Sequence, residues 1–277
     1  MQPPITTAVF AADLTVARGG RIALRVDRLQ VPIGSVAALV GPNGSGKSTL
    51  LHTIAGLLAP TSGELAVLGA TPAAVRRRVA YVLQSVAVTE HLPITVREVV
   101  AMGRFAERGP FRRLRPGDRT LIDAALERLE LADLAHRHLG ELSGGQRQRT
   151  LVAQALAQDA ELLLLDEPIT GLDLASAERI RSVIDGERRA GRTVIVATHD
   201  LAEAQRADLL VLLAGRVVAA GPPARALTRS TLAEAYGGRL LQLDGETVIL
   251  DDAAHHDPDE PAHDHHSSHP HSTGQSH

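Results

Sequence analysis

The sequence predicts an α/β fold built around a mainly parallel β-sheet. Short apolar runs typical of buried strands occur at 36–40, 162–165, 193–198 and 209–213. Strands that alternate with helices are typical of a parallel sheet, because a parallel connection requires a crossover. A glycine-rich loop follows the first run and leads into a predicted helix at about 47–57. The alternation and the loop favour the same fold class.

The first elements of the chain read as antiparallel. Alternating apolar residues at 8–16 and 22–26 flank the turn Gly19-Gly20, which is the pattern of a β-hairpin. We therefore expect an antiparallel β subdomain beside the parallel sheet.

A helical subdomain is predicted to be inserted at about 85–158. Thr95 and Glu98 match a capping box at the start of a helix. Asp118 is placed to cap a second helix. The apolar face of that helix consists of Leu121, Ile122, Ala125, Leu126 and Leu129.

An arginine-rich loop is predicted between these two helices. It contains Arg104, Arg108, Arg112, Arg113 and Arg115. Two interpretations stay open, a solvated loop and a docking surface for a partner.

The last elements complete the alternation. A helix is predicted at about 174–190, between the strands at 162–165 and 193–198. The turn Gly215-Arg216 leads into a final strand at 217–220.

Composition limits the classes of function. Of the 277 residues, 44% are hydrophobic and 2% are aromatic, so the core is expected to consist of Leu, Val, Ile and Ala. The formal net charge of -3 does not indicate nucleic-acid binding. The chain has no cysteine, which is compatible with a reducing compartment. We find no signal-peptide pattern and no apolar run near the roughly 20 residues that a membrane helix needs. A membrane role would therefore require a partner.

The glycine loop carries the strongest chemical signal. It fits the pattern G-x-x-x-x-G-K-S/T in full with Gly41, Pro42, Asn43, Gly44, Ser45, Gly46, Lys47 and Ser48. Its backbone N–H groups and the positive end of the following helix favour phosphate. Lys47 is expected to reach the β- and γ-phosphates, and the Ser48 hydroxyl is expected to bind Mg²⁺.

A second group of candidate residues follows other strands. Asp166 and Glu167 end a run of four leucines; Asp166 is expected to orient the Mg²⁺ shell and Glu167 to polarise the attacking water. Gln84 follows a strand at 79–83 and is placed to touch the metal or the water. His199 follows the strand at 193–198 and is placed to contact the γ-phosphate. Taken alone, the two acids read equally well as an ordinary strand exit, and a surface glutamine and a structural histidine are the simpler interpretations of the other two.

The order of these motifs, together with Leu142-Ser143-Gly144-Gly145-Gln146 and Gly171-Leu172-Asp173, resembles the ATP-binding subunits of ABC transporters over about 8–221. The resemblance implies a P-loop NTPase core of the ABC ATPase type and a head-to-tail homodimer that holds two ATP molecules at its interface. In that arrangement Ser143 and Gly145 bind the γ-phosphate that Lys47 of the other copy holds. Asp173 lies at the dimer centre. The resemblance also implies functional roles for Gln84 and His199. The implied nucleotide-binding set includes, in addition, Thr49, Gly144 and Gln146.

The chain departs from the family pattern at two positions. Arg18 stands where the family usually has an aromatic residue that stacks on adenine, so either a guanidinium stacks there and adenine selectivity is weaker, or another residue takes the part. Gln154 stands where an arginine is common, which affects one contact and leaves the mechanism intact.

The stretch at 92–104 resembles the branch that serves zinc and manganese importers. The resemblance implies an integral membrane permease, an extracytoplasmic metal-binding protein, and a location on the cytoplasmic face of the cell membrane. It implies no nucleic-acid partner. Two alternatives are weighed: an ABC-type ATPase with another substrate or outside transport, such as a DNA-repair or ribosome-associated switch, and an ATP-independent metal buffer.

The segment 251–277 is predicted to be a disordered tail beyond a folded domain at 1–250, since hydrophobic residues almost vanish there. Eight of the 13 histidines lie in it, among several acidic residues. Imidazole with carboxylate suits Zn²⁺, and also Ni²⁺ or Cu²⁺. A loose metal-binding tail and an inert polar tail both remain open. The histidines are His255, His256, His263, His265, His266, His269, His271 and His277.

Overall fold

A computed structural model describes residues 6–83, 93–110 and 113–237, together with the backbone of 240–243 and 247–250. Gln84 and the histidine-rich tail lie outside the described residues.

The strands and helices of the described part of the chain have the following bounds. The strands are β1 (Thr7–Arg18), β2 (Arg21–Pro32), β3 (Val36–Val40), β4 (Ser62–Val67), β5 (Val79–Val82), β6 (Leu162–Asp166), β7 (Thr193–Thr198), β8 (Leu209–Leu213), β9 (Val217–Gly221), β10 (Leu240–Leu243) and β11 (Thr247–Leu250). The helices are α1 (Lys47–Ile54), α2 (Val96–Met102), α3 (Phe105–Arg108), α4 (Pro116–Arg128), α5 (Gly144–Ala157), α6 (Leu174–Arg189), α7 (Leu201–Ala204), α8 (Pro223–Ala226) and α9 (Arg229–Tyr236). None of the helices in the described part of the chain combines the length and the apolar character that crossing a bilayer requires.

The largest sheet confirms the predicted fold class. Its strand order is β5-β6-β7-β3-β8-β9, and every neighbouring pair is parallel except β8 and β9. Strands β3 and β6 are buried along their whole length, as expected for parallel strands covered on both faces. The predicted hairpin is also confirmed, since β1 pairs antiparallel with both β2 and β4.

Two apolar layers cover the faces of the parallel sheet. Leu163 and Leu165 point toward a cluster that includes residues of α2, α4, α5 and α6. Leu162 and Leu164 point toward a second cluster, which joins α1 to the antiparallel sheet. This alternation along one strand follows from the period of two in a β-strand. The sheet is therefore the wall between the antiparallel layer and the helical layer.

Helices α2 to α5 lie between β5 and β6 in the chain, which matches the expected helical insertion. The capping box at the start of α2 is confirmed: the Thr95 amide donates to Glu98 Oε2 at 2.8 Å, and the Glu98 amide donates to Thr95 Oγ1 at 3.3 Å. Asp118 takes part in the cap of the next helix, as expected, but it does so from within the first turn and not as the residue that precedes the helix. Helix α4 begins at Pro116, which suits a first helical turn, and the Asp118 carboxylate reaches back to the amide of Arg115 at 2.8 Å.

Two of the five arginines in the predicted loop are structural. Arg104 is buried and its Nε lies 3.0 Å from Asp118 Oδ1, while Arg108 Nε lies 3.0 Å from Asp118 Oδ2. Arg104 Nη1 also donates to the carbonyls of Ala157 and Gln158 at the end of α5, at 2.9 and 2.8 Å. For these two arginines both sequence interpretations were wrong, because each guanidinium pairs with a carboxylate inside the helical layer.

The carboxylate of Asp118 is held in its ionised form. The backbone hydrogen bond from Arg115, assisted by Arg108 and Arg104, lowers the pKa of Asp118 to about 2. One side chain thus joins the start of α4, the segment after α2 and, through Arg104, the end of α5.

We expect Asp118→Asn to lower the free energy of unfolding at pH 7 by about 3 to 5 kcal/mol, since it leaves Arg104 as a buried charge without a carboxylate. Asp123→Asn on the same helix is the matched control. Asp123 is half exposed and pairs with Arg97 at 2.7 Å, so its loss should cost less than about 1 kcal/mol. Urea unfolding of the three proteins measures both values, and equal effects of the two substitutions would contradict the assignment.

The effect of Asp118→Asn on the free energy of unfolding should depend on pH. The pKa of Asp118 is lower in the folded chain than its unfolded value of about 3.9. Its contribution to stability is therefore present above the unfolded pKa and is lost as the pH falls toward 2. The stability difference between wild type and Asp118→Asn should narrow between about pH 4 and pH 2.

Candidate functional site

The loop between β3 and α1 requires glycine at defined positions. Gly41 has φ 156°, and a Cβ there would overlap the carbonyl oxygen of Leu213 and lie 2.7 Å from Ser45 Oγ. Gly46 has φ 102°, and a Cβ there would meet Leu24 of β2 at 3.1 Å. The backbone therefore turns tightly between the parallel sheet and the antiparallel layer, with no room for side chains on its inner side.

Lys47 begins α1 and lies across this loop. Its ammonium donates to the carbonyls of Gly41 at 2.7 Å and Pro42 at 3.2 Å, and the residue is buried. A buried ammonium group at the positive end of a helix is suited to a polyanion. Ser45 Oγ is also buried, and the described part of the chain offers it no hydrogen-bond partner. The loop thus fits a triphosphate.

Asp166 ends β6 as a buried carboxylate. Its Oδ2 accepts a hydrogen bond from the Tyr81 hydroxyl at 3.2 Å, whereas Oδ1 has no hydrogen-bond partner among the described residues. Leaving a buried carboxylate oxygen without a donor is costly. Carboxylate and hydroxyl oxygens are the donors that Mg²⁺ prefers. Asp166 and Ser48, which lies in the first turn of α1, are therefore a suitable donor set for that ion.

Glu167 follows in a strained conformation. It has φ 47°, which is rare for a residue with a side chain, and its amide donates to the Ala197 carbonyl of β7 at 2.9 Å. Its carboxylate is buried. His199 Nδ1 lies 3.5 Å from Glu167 Oε2, and Thr170 Oγ1 lies 3.4 Å from the same oxygen. The structure therefore brings Glu167 and His199 together, and backbone strain of this kind is typical of functional sites.

Tyr81 is a site residue that the sequence analysis missed. Burial, together with the nearby charge of Asp166, raises the pKa of the Tyr81 phenol, so the hydroxyl stays protonated and acts as a donor. The ring also makes an edge contact with His52 of α1 at a centroid distance of 5.6 Å. A sequence signal existed, since Tyr81 is one of two tyrosines in the chain and lies in the strand that leads to Gln84.

The Leu-Ser-Gly-Gly-Gln segment forms the start of α5. Ser143 caps the helix: its hydroxyl accepts from the Gln146 amide at 3.3 Å, and Gln146 Oε1 accepts from the Ser143 amide at 3.0 Å. Ser143 and Gly144 are exposed, whereas Gly145 is buried. The exposed backbone of this turn is available to an anion outside the chain's own loop.

Asp173 caps α6. Its two carboxylate oxygens accept from the amide and the hydroxyl of Ser176, each at 2.8 Å. The backbone hydrogen bond from Ser176 lowers the pKa of Asp173. Each oxygen keeps a further lone pair, and Asp173 is exposed, so the carboxylate can still accept a hydrogen bond from another molecule.

Three predicted residues remain, namely Arg18, Thr49 and Gln84. Arg18 is exposed at the end of β1, directly opposite Arg21 across the hairpin. Thr49 is buried in the first turn of α1. Gln84 lies outside the described residues, so its predicted role stays a prediction.

Three features define a P-loop nucleoside-triphosphate hydrolase: a glycine loop after β3, a lysine that lies across this loop, and two acids at the end of β6, a parallel strand of the same sheet. The chain belongs to the ABC transporter family, whose model matches residues 24–170. It is accordingly an ATP hydrolase of the ABC type, a class that uses ATP with Mg²⁺.

Individual relatives span most of the chain. The zinc transport system ATP-binding protein TroB of Treponema pallidum is 42% identical over 84% of this chain and 88% of its own length. The manganese transport system ATP-binding protein MntB of Bacillus subtilis is 38% identical over 83% of this chain and 93% of its own. Among solved structures, MJ1267, an ATP-binding cassette of an ABC transporter in its ADP conformation, matches with a TM-score of 0.72 at 25% identity, covering 84% of this chain and 99% of that one.

We expect Tyr81→Phe to raise the Mg²⁺ concentration needed for half-maximal ATP hydrolysis by about tenfold, since it removes the donor that orients the Asp166 carboxylate. Tyr236→Phe, which removes a hydroxyl from α9, is the matched control. A Mg²⁺ titration of ATPase activity at saturating ATP measures both variants. If Tyr81→Phe and the control respond alike, the hydroxyl does not orient the carboxylate.

Proposed function

We propose that this chain is the ATP-hydrolysing subunit of a transporter that moves a divalent metal ion across the cytoplasmic membrane, with zinc as the first candidate and manganese as the second. The observation that carries the proposal is the similarity to TroB and MntB over more than four fifths of the chain. The names of those relatives specify zinc and manganese transport. The nucleotide machinery described above supplies the energy-converting half of such a system.

The residues divide the hydrolysis reaction among them. Lys47 and the backbone of the glycine loop hold the β- and γ-phosphates of ATP. Ser48 and Asp166, with Gln84, would hold Mg²⁺, and the ion would supply positive charge to the phosphate oxygens. The oxygen of the attacking water bonds to the γ-phosphorus while Glu167 accepts one of its protons. The bond from that phosphorus to the oxygen shared with the β-phosphate breaks, and ADP and phosphate leave.

His199 acts beside Glu167. Its Nδ1 lies 3.5 Å from Oε2 of the Glu167 carboxylate. An imidazole in that position holds the carboxylate and contacts the γ-phosphate. The positive φ of Glu167 and the hydrogen bond from its amide to the Ala197 carbonyl fix the backbone that carries this carboxylate.

The complete pocket requires a second copy of the chain. In a head-to-tail homodimer, Ser143, Gly144, Gly145 and Gln146 of one copy close the pocket that the other copy's glycine loop begins. The support is the exposed, capped start of α5, whose backbone N–H groups and helix dipole favour a phosphate. Binding of ATP closes this dimer because the second set of contacts exists only in the closed form.

The remaining partners follow from the transport proposal. The dimer acts with an integral membrane permease at the cytoplasmic face of the membrane, and an extracytoplasmic metal-binding protein delivers the ion to that permease. Arg18, which is exposed at the end of β1, is a candidate for stacking on the adenine base, and the alternative is that another residue takes this part. The histidine-rich tail at 251–277 binds Zn²⁺ loosely, on the strength of its imidazole and carboxylate content.

The composite pocket predicts rescue between two inactive copies. Ser143→Asp keeps a capping side chain but repels the γ-phosphate, and Lys47→Ala removes the ammonium from the glycine loop. A mixed dimer of these two variants carries both defects in one pocket and none in the other. We expect the mixture to hydrolyse ATP at well above the rate of either variant alone. Two batches of Ser143→Asp mixed together are the control, and a mixture that forms mixed dimers without regaining activity would refute the composite pocket.

The cargo is tested in the assembled transporter. We expect the ATPase rate of the subunit, reconstituted with its permease and binding protein in lipid vesicles, to rise several-fold when the binding protein carries Zn²⁺. Manganese-loaded and metal-free binding protein are the comparison arms. Stimulation by manganese alone would reassign the metal, and no response to either metal would overturn the transport proposal.

A further inference from the structure

Ser176 is a buried polar residue that the reaction described above does not use. It lies in the first turn of α6 and is 3% exposed. Its amide and its hydroxyl both donate to Asp173, to Oδ1 and Oδ2 respectively, at 2.8 Å each. The hydroxyl therefore adds a second hydrogen bond to the cap that the backbone amide already makes.

The same hydroxyl lies under the start of α5. A Cβ built on Gly145 would stand 2.5 Å from Ser176 Oγ and 2.7 Å from Asp173 Oδ2. Contacts this short mean that the backbone of Gly145 is packed directly on the Asp173–Ser176 cap. The segment Ser143–Gln146, here called the signature turn, thus rests on the cap of α6.

Ion pairs join the same two layers farther along α6. Glu130, just beyond α4, pairs with Arg179, and Arg128 Nη1 lies 2.7 Å from Glu187 Oε1. Both α6 residues come after Ser176 in the helix. The helical layer is therefore attached to α6 at several points, and Ser176 is the attachment next to the signature turn.

We propose that Ser176 is a positioning residue for ATP hydrolysis: its hydroxyl fixes the signature turn relative to the loop that runs from Glu167 to Asp173. The inference rests on the proposed head-to-tail dimer. In that dimer the signature turn serves the partner's pocket, whereas Glu167 serves the chain's own. Ser176 consequently fixes the position of the signature turn, which acts in the partner's pocket, relative to the loop of Glu167, which acts in the chain's own pocket.

The first test separates positioning from folding. We expect Ser176→Ala to lower kcat for ATP by about tenfold, because the signature turn loses its fixed position in the closed dimer. The affinity of the isolated subunit for ATP and its melting temperature should stay close to those of Ser182→Ala. Ser182 is an exposed serine of the same helix and serves as the matched control. A kcat equal to that of the control would overturn the proposal, and so would a parallel loss of kcat and of ATP affinity.

The second test measures the contact itself. Gly145→Ala places a methyl group against the Ser176 hydroxyl and against Asp173 Oδ2. Ser176→Ala removes the shorter of these two contacts, so Gly145→Ala should reduce kcat less, but still measurably, in that background than in the wild-type background. Non-additivity of this kind is the signature of two residues in contact. Equal fold-losses in the two backgrounds would show that the hydroxyl does not set the position of the turn.

The two proposals fail in different ways. If the Ser143→Asp and Lys47→Ala mixture regains activity while Ser176→Ala behaves like Ser182→Ala, the dimer stands and the role of Ser176 is refuted. If the mixture forms mixed dimers without activity, the composite pocket is refuted, and with it the geometry on which the role of Ser176 depends.

Discussion

The parallel register of three neighbouring strands is the constraint on which the site depends. Strand β7 pairs with β3 so that Thr198 lies beside Val40, and with β6 so that Ala197 lies beside Asp166. The residues that follow these strands are therefore delivered to one edge of the sheet. The hydrogen bond from the Glu167 amide to the Ala197 carbonyl extends this alignment one residue beyond the end of β6. The loop at Gly41, the two acids and the histidine after β7 all start from that edge.

The signature turn is positioned by a different set of contacts. No strand carries it; it is the capped start of α5, and it rests on the cap of α6 through Gly145. The helical layer that holds it is fixed internally by the carboxylate of Asp118, whose partner Arg104 bonds to the end of α5. The glycine loop is thus positioned by the sheet, and the signature turn is positioned by the helical layer. Helix α6 packs against both the sheet and the helical layer.

Features set by local sequence were predictable, and pairings between distant elements were not. The hairpin, the parallel strands and the capping box at Thr95 each follow from a repeating pattern or a motif of a few residues, and the structure confirms them. Arg104 was read as part of a loop because nothing near it in sequence marks a partner for a buried charge. Tyr81 was missed for a related reason: a strand pattern shows which side chains are buried but not which carboxylate stands at the end of the next strand.

The loop from Glu167 to Asp173 connects the contacts that position the sheet edge with the contacts that position the signature turn. Its first residue has φ 47°, and the amide of that residue donates a hydrogen bond to the Ala197 carbonyl of β7. Its last residue accepts hydrogen bonds from Ser176 at both carboxylate oxygens. Between these fixed ends Pro168 restricts the backbone further, since its ring locks φ. Hydrogen bonds therefore hold both ends of this loop. One end carries the Glu167 carboxylate, and the other is the cap of α6 on which the signature turn rests, so a single short loop sets the distance between them.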